Sequence, residues 1–426
     1  MYKFGLRGWG LALAAMSAMA WAQTAPAPVP ATRITLDQAI QLALAHSPAM
    51  AAVRSQVPQS RANQITAALR PNPVLNWDGL YLPVFEPDKL NHSFLNTSSE
   101  FDGSVSYTWE RGGKRRARIR AAHDITTVVR SQVQDAGRGL AFAVAQPFIG
   151  ALLAQSSLAF AQQDLASWQN TVNLSQAQYR AGAISEGDLD TIKLQTLQFQ
   201  ATVSADRLAL AQELTALRQA IGFSGVPRNF GVAGSLAFQP LRGNLEDMQL
   251  LALKRRPDLM AAQQSITAAQ SQYRLAQADG KRDLTTTAQY IHTAGLSEMG
   301  FLFSIEIPIF DRNQGEIART AAAETQAQDQ AQQARQQVLS DVRTAYEAVR
   351  QGAQVVKLYT SGYRAEAQQA LAIRQYSYGR GATSLLNLLD AERTYRSTEL
   401  GYRQALAAYM LAIEQLKEAV GSRTLP

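Results

Sequence analysis

The residues best suited to chemistry in this chain are few and scattered. Four histidines, His46, His92, His123 and His292, lie far apart and none forms an H-E-x-x-H pair, so no histidine-built metal or catalytic centre is expected. None of the 426 residues is cysteine, which excludes disulfides, thiolate metal sites, a cysteine nucleophile and lipidation on cysteine. Arg111-Gly112-Gly113-Lys114-Arg115 sets glycines beside a lysine, as phosphate-cradling loops do. It departs from that pattern: position 108 is Thr rather than Gly, and Lys114 precedes Arg115 rather than Ser or Thr. No Ser-His-Asp arrangement can be assembled, and a net charge of +7 over this length is no nucleic-acid footprint. Neither a cofactor, nor nucleic acid, nor an enzyme is expected. What remains are carboxylates and glycines at breaks between long helical runs, so their meaning depends on the elements that carry them.

The N-terminus reads as an address. Lys3 and Arg7 precede an apolar run from Leu11 to Ala20, and Ala20-Trp21-Ala22 fits a signal-peptidase site. Residues 1–22 are expected to be an export signal and 23–33 a Pro-rich segment. Beyond it, no continuous apolar run reaches the ~18–20 residues of a membrane helix, which leaves a membrane barrel open.

The chain is written twice. Leu36-Asp37 followed by His46-Ser47-Pro48 recurs as Leu245-Glu246 followed by Arg255-Arg256-Pro257. Tyr179-Arg180-Ala181-Gly182 returns as Tyr376-Ser377-Tyr378-Gly379, and Leu217 to Gly222 returns as Leu416 to Gly421. The expected division is a first unit at 34–222, a Gly- and Pro-rich linker at 223–244, a second unit at 245–421 and a tail at 422–426. Each unit runs short helix, second helix (49–69; 258–279), two strands, long rod, Gly-containing break, final helix.

The rods set the shape. Gly113 to Arg180 is 68 residues and Asn313 to Tyr378 is 66; each would span roughly 100 Å as a helix. Steps of three and four link Leu158, Ala161, Leu165, Trp168, Val172, Ser175 and Tyr179. The last helix has the same spacing in Leu388, Glu392, Tyr395, Glu399, Tyr402, Leu406, Tyr409, Ile413, Leu416 and Val420. Such stripes predict helices supercoiled on one another. Pro147 is expected to bend the first rod.

Between helices and rods lie period-two segments. Phe101, Val105, Tyr107 and Trp109 alternate with Asp102, Ser104, Ser106 and Thr108; Phe303, Ile305 and Ile307 alternate with Ser304 and Glu306. Partners are expected at 72–83, with Leu75, Trp77 and Tyr81 on one face, and at 283–293. Ten-residue alternation with aromatics near the ends suits an outer-membrane strand, and also a half-buried strand of a soluble sandwich. Export and the adjoining rods favour the barrel. Four strands cannot close one, so two copies would give eight strands and three would give twelve. The basic cluster Arg111, Lys114, Arg115 and Arg116 then sits where strand meets rod, placed to reach inner-leaflet headgroups or simply to start a solvated helix.

The duplicated order, the export signal and the Tyr-x-x-Gly…Asp-x-Leu-Asp-like turn at 179–190 resemble the TolC family of outer-membrane efflux channels over about residues 34–422. Leu69-Arg70-Pro71-Asn72-Pro73 entering the first strand, and Trp109-Glu110-Arg111-Gly112-Gly113-Lys114-Arg115 leaving the second, resemble its CzcC-like heavy-metal branch. The resemblance implies a mainly α fold with a membrane β-barrel part. A homotrimer would form a twelve-strand barrel in the outer membrane over a long periplasmic helical tunnel. It also implies a periplasmic adaptor and an inner-membrane RND pump as partners, and passive exit of metal cations such as cobalt, zinc or cadmium. The adaptor would grip the tips, with Ile184 and Leu385 as exposed apolar residues flanking the turns: Gly182, Ala183, Ile184 and Ser185, and Gly379, Arg380, Gly381 and Leu385. Where the family closes the periplasmic end with D-x-x-D, this chain has Asn387 and Asp390, so one acidic ring becomes amide. Asp190 matches the acidic position after the first turn. Arg393 and Arg396 are candidate partners for Asp390. A multidrug or protein-secretion channel of the same family stays open, as does a periplasmic coiled-coil spacer with no pore.

Overall fold

The computed structural model describes residues 32–425, so the export signal and most of the Pro-rich segment fall outside the described residues. Each unit opens with a capped short helix. In α1 (Leu36–His46), Thr35 Oγ1 accepts from Gln38 N while Gln38 Oε1 accepts from Thr35 N, satisfying two otherwise orphaned donors. In α7 (Leu245–Arg255), Asn244 Oδ1 accepts from Asp247 N at 2.8 Å. Pro48 and Pro257 then take the first position of the next helix, where a missing N–H costs nothing.

Here the copies part. α8 (Pro257–Asp279) is continuous, whereas the segment expected as one helix at 49–69 is two, α2 (Pro48–Arg54) and α3 (Gln56–Ala68), broken at Ser55. Pro58 explains the break: it has no N–H for the Arg54 carbonyl.

Four strands make one antiparallel sheet in the order β2-β3-β5-β6, from β2 (Val74–Leu80), β3 (Glu100–Trp109), β5 (Leu284–Thr293) and β6 (Leu296–Ile305), with the short α4 (His92–Thr97) between the first two. The last two form a tight hairpin through Ala294 and Gly295, both at positive φ. Ile307 lies beyond the strand that was expected to include it. Register separates the faces. Leu75 lies opposite Val105, Val105 opposite Ala288 and Ala288 opposite Phe301; Trp109, Leu284 and Ile305 align the same way. On the other face Asn76, Ser104 and Gln289 align, and Ser106 and Thr108 bond to Thr287 and Thr285 at 3.0 and 3.1 Å.

A second, two-stranded sheet was not expected. β1 (Thr32–Ile34) pairs in parallel with β4 (Phe230–Val232), inside the segment read as a linker. Ile34, Phe230 and Val232 are buried with Val144, Phe148, Leu217 and Ile221. The core of the second unit is built around Met248, Leu259, Val342, Tyr409 and Leu416.

The rods are α5 (Lys114–Arg180, 67 residues), with α6 (Glu186–Ile221) returning beside it, and α9 (Gln314–Leu358) continued by α10 (Arg364–Gly379), with α11 (Leu385–Val420) returning. α5 runs unbroken through Pro147; Val144, Ala145, Phe148 and Ile149 around it are buried and hold the helix. One window of α5 is apolar enough to cross a membrane by composition, but 44% of it is buried within the protein. The second rod, expected to be continuous, is interrupted by a π-helical turn at Tyr359–Tyr363, where Gly362 adopts φ 139°. At the far end of each unit, the closing glycine presses on the opening proline corner. A Cβ on Gly222 would lie 2.6 Å from His46 O, and one on Gly421 would lie 3.2 Å from Arg256 Cγ. That contact is why the two terminal motifs recur together.

Candidate functional site: the helical tips and the pore mouth

The two rod ends are built alike. Gly182 and Gly381 have φ of 74° and 70°, and the next residues close matching turns: Ala183 N to Gln178 O at 2.8 Å, and Ala382 N to Ser377 O at 2.9 Å. Ser185 and Ser384 then cap the returning helices, accepting from Asp188 N and Asn387 N. The tips touch each other: Gln178 Nε2 donates to Tyr378 O at 3.2 Å, and Ser175 and Tyr378 hydroxyls lie 3.4 Å apart. Between them opens a cleft of about 880 Å³, lined by Gly182, Ile184, Ser185, Gly379, Gly381 and Leu385.

Within this end the apolar residues differ from expectation. Gly182, Ala183, Ser185, Arg380 and Gly381 are exposed, but Ile184 and Leu385 are half-buried, as is Gly379. Leu385 packs on a cluster of Trp168, Val172, Ile192, Phe199 and Leu388. Leu386 beside it is instead 75% exposed, and Tyr376 before the second turn is 67% exposed.

The expected mouth residues are all exposed. Asp390 pairs with Arg393 at 2.8 Å, Asn387 Nδ2 donates to Thr383 Oγ1 at 3.1 Å, and Asp190 lies 3.5 Å from Lys193. Arg396 does not serve Asp390. Its Nε lies 2.8 Å from Asp164 on α5 and its guanidinium sits 4.4 Å from the Phe199 ring. The inward heptad positions of α11 carry acids: Glu392 and Glu399 are 3% and 5% exposed. Glu399 is held by Arg364 and Arg403, while Glu392 forms no ion pair among the described residues. These buried acids belong to the α11 stripe, and an acid at a core position was the signal that could have exposed them.

The basic cluster at the strand-to-rod junction also divides. Lys114 pairs with Asp283 at 2.8 Å, and Arg115 Nε donates to Ala68 O at 2.7 Å. Arg118 donates to Ala67 O and Leu69 O and pairs with Glu110 at 2.6 Å. Guanidiniums therefore satisfy the last carbonyls of α3, where its dipole is negative. Lys114 and Arg115 are thus turned into the protein, whereas Arg111 and Arg116 are exposed and form no ion pair among the described residues.

A model of the outer membrane efflux protein family matches residues 39–223 and 250–422, one segment in each unit. The chain belongs to this family. Membership places the sheet in the Gram-negative outer membrane and the rods in the periplasm, and makes the protein a passive conduit rather than an enzyme. The chain is 25% identical over 272 residues to the probable outer membrane lipoprotein SilC of Salmonella typhimurium, and that match spans 58% of the relative's length. It is 24% identical to the cobalt-zinc-cadmium resistance protein CzcC of Cupriavidus metallidurans, over 97% of this chain and 98% of that one. It is also 24% identical to the pyoverdine export outer membrane protein OpmQ of Pseudomonas putida, over 91% of this chain and 86% of that one. A crystal structure of CusC superposes with a TM-score of 0.74 at 20% identity, covering 91% of this chain and 92% of that chain.

Proposed function

We propose that three copies of this chain form a passive exit duct for metal cations, fed by a periplasmic adaptor and an inner-membrane RND pump. The observation that carries it is the sheet: an apolar face, a polar face, and two outer strands, β2 and β6, each with one edge unpaired among the described residues. An even number of antiparallel strands per chain lets β6 of one copy pair antiparallel with β2 of the next, and closure removes both edges. Three copies give twelve strands with the polar face lining the lumen. Cobalt, zinc or cadmium is favoured as cargo by similarity to CzcC along nearly the whole of both chains. Similarity to OpmQ over most of both chains keeps an organic cargo as the second reading.

At the periplasmic mouth, three copies of Asp390 would surround one axis, with Asn387 about one turn nearer the tip and Asp190 on α6. Like charges in a narrow mouth repel unless cations or a neighbouring base offset them; here Arg393 supplies the base. In planar bilayers the purified protein should form channels. Asp390→Ala should raise the resting conductance and weaken block by divalent cations, and Asn387→Asp should strengthen that block. Parent-like behaviour of both variants would remove these residues from the gate, and absence of any conductance would remove the pore.

The tips offer the adaptor a polar, glycine-shaped surface on which Leu386 is the most exposed of the large apolar side chains, followed by Tyr376. Leu386→Asp should abolish metal resistance in an efflux-deficient host while the yield of trimer in the outer membrane stays unchanged. Full resistance with this variant would argue against docking at this end.

A further inference from the structure

One ionic cluster in the lower periplasmic helices is used neither by the tips nor by the mouth. Three helices each contribute a carboxylate: Asp164 from α5, Asp206 from α6 and Glu392 from α11. Among the described residues Arg396 is the one cation that pairs with any of them, its Nε 2.8 Å from Asp164 and its Nη2 3.4 Å from Thr202 Oγ1. The Phe199 ring beneath Arg396 is stacked on Trp168, ring centroids 5.1 Å apart. Glu392 Oε2, Asp164 Oδ2 and Asp206 Oδ2 are buried and make no hydrogen bond among the described residues. A cavity of about 340 Å³ between α6 and α11, lined by Gln198, Phe199, Glu392, Arg396 and the Asp390–Arg393 pair, connects Glu392 to solvent.

We propose that this cluster is a pH-sensitive latch between the two coiled coils of each chain: protonated Glu392 lets α11 seat on α5 and α6, and its ionisation loosens that seat. Three carboxylates against one guanidinium cannot all be charged in a buried groove, because ionised groups without partners carry the full desolvation cost. Burial, reinforced by the Asp164 charge and only partly opposed by Arg396, pushes Glu392 up to about 7. Burial also raises Asp164 to about 6 despite Arg396, and raises Asp206 in the same direction. The remaining charged neighbours are committed: Glu399 is held by Arg364 from α10 and by Arg403, and Asp390 is paired with Arg393. Tyr395, beside Glu392 and Asp164, is itself raised and stays neutral.

The sign follows from these shifts. A carboxyl raised above its ordinary value when seated favours the seated form below that ordinary value, and loses the advantage as pH rises through about 7. Alkaline conditions therefore loosen α11 and acid conditions hold it. Each proton released shifts the ratio of loosened to seated forms by about tenfold per pH unit between the two values. The π turn at Tyr359–Tyr363 gives the α10–α11 coil a place to bend when the seat is lost.

The latch bears on conduction only through the pore proposed above, so the test separates them. Hydrogen exchange of α11 amides, corrected for the intrinsic pH effect, is measured on the full protein in detergent from pH 5.5 to 8.5, alongside bilayer conductance. The parent should lose α11 protection and gain conductance as pH rises. Glu392→Gln should keep low-pH protection and low-pH conductance throughout. Asp164→Asn, which removes a charge that raises Glu392 and leaves Arg396 free to offset it, should make the ionised seat less costly, so α11 keeps its protection to higher pH and loses less of it. Flat α11 protection in the parent, or a parent-like profile in Glu392→Gln, overturns the latch. A pH-dependent exchange without any conductance upholds the latch and overturns the pore.

Discussion

Val105→Arg is expected to deplete the protein from the outer membrane, while Ser104→Arg leaves it there. Val105 lies mid-strand in β3, opposite Leu75 on one side and Ala288 on the other, and is 49% exposed on the isolated sheet. Its face continues through Tyr107, Trp109, Phe303 and Ile305, so in a closed barrel it meets hydrocarbon. A basic residue at the bilayer midplane on that face costs about 2–4 kcal/mol, and the proposed trimer would carry it three times. Ser104 belongs to the face of Asn76 and Gln289, where a guanidinium keeps its water. The readout is the yield of detergent-extracted trimer from outer membranes. The reverse pattern would place the register one residue off, because a one-residue slip exchanges the two faces of every strand.

Much of this fold was legible because its signals are long. Rods of some sixty residues, a repeat carried by several motifs and two-residue alternation over ten positions cannot be mistaken for noise. Short or long-range features were not legible in the same way. β1 and β4 are three residues each and pair across about two hundred positions, too short to show any period. The break at Tyr359–Tyr363 needs only one glycine, and Gly352, another glycine of the same rod, remains helical, so composition does not single out Gly362. For Arg396 the sequence offered Asp390 on its own helix, whereas folding supplied Asp164 from the other unit. Ile184 and Leu385 were marked for solvent because they flank a turn; the Trp168 cluster reaches far enough down the coil to cover Leu385 and leave Leu386 out.

The duplication also explains where the halves were free to diverge. Both units need a proline corner against a closing glycine, and both have it. What stands between helix and proline differs: Ser47 in the first unit, Arg256 in the second, each donating its backbone N–H four residues back. Serine fills that corner with little polar surface. Arginine brings a charge into it, 4% exposed, and the second unit builds a network to receive that charge.

Arg256→Met should therefore be among the most destabilising single changes in the periplasmic helices. Its guanidinium bonds Asp258 at 2.6 and 3.0 Å, Asp341 on α9 at 2.7 Å and the Ala419 carbonyl at the end of α11 at 3.3 Å. One side chain thus joins α8, α9 and α11 at the point where the second unit closes. Removing one partner of a fully buried ion pair costs about 3–5 kcal/mol, and here the cost falls toward the lower end because Asp258 and Asp341, 30% and 33% exposed, keep part of their hydration when left unpaired. Lysine should recover only part, since one ammonium cannot replace a planar fork serving three acceptors. Burial alone would raise Asp258, but hydrogen bonding and charge from Arg256, with help from Arg138, outweigh it and hold Asp258 below its usual range. A carboxylate held low contributes stability above its ordinary value and loses it as pH falls through its lowered one. The gap between parent and Arg256→Met in the midpoint of thermal loss of helix in detergent should accordingly be full at neutral pH and narrow as pH drops into the acid range. Equal midpoints at pH 7 would mean that the corner is held by the proline–glycine contact alone.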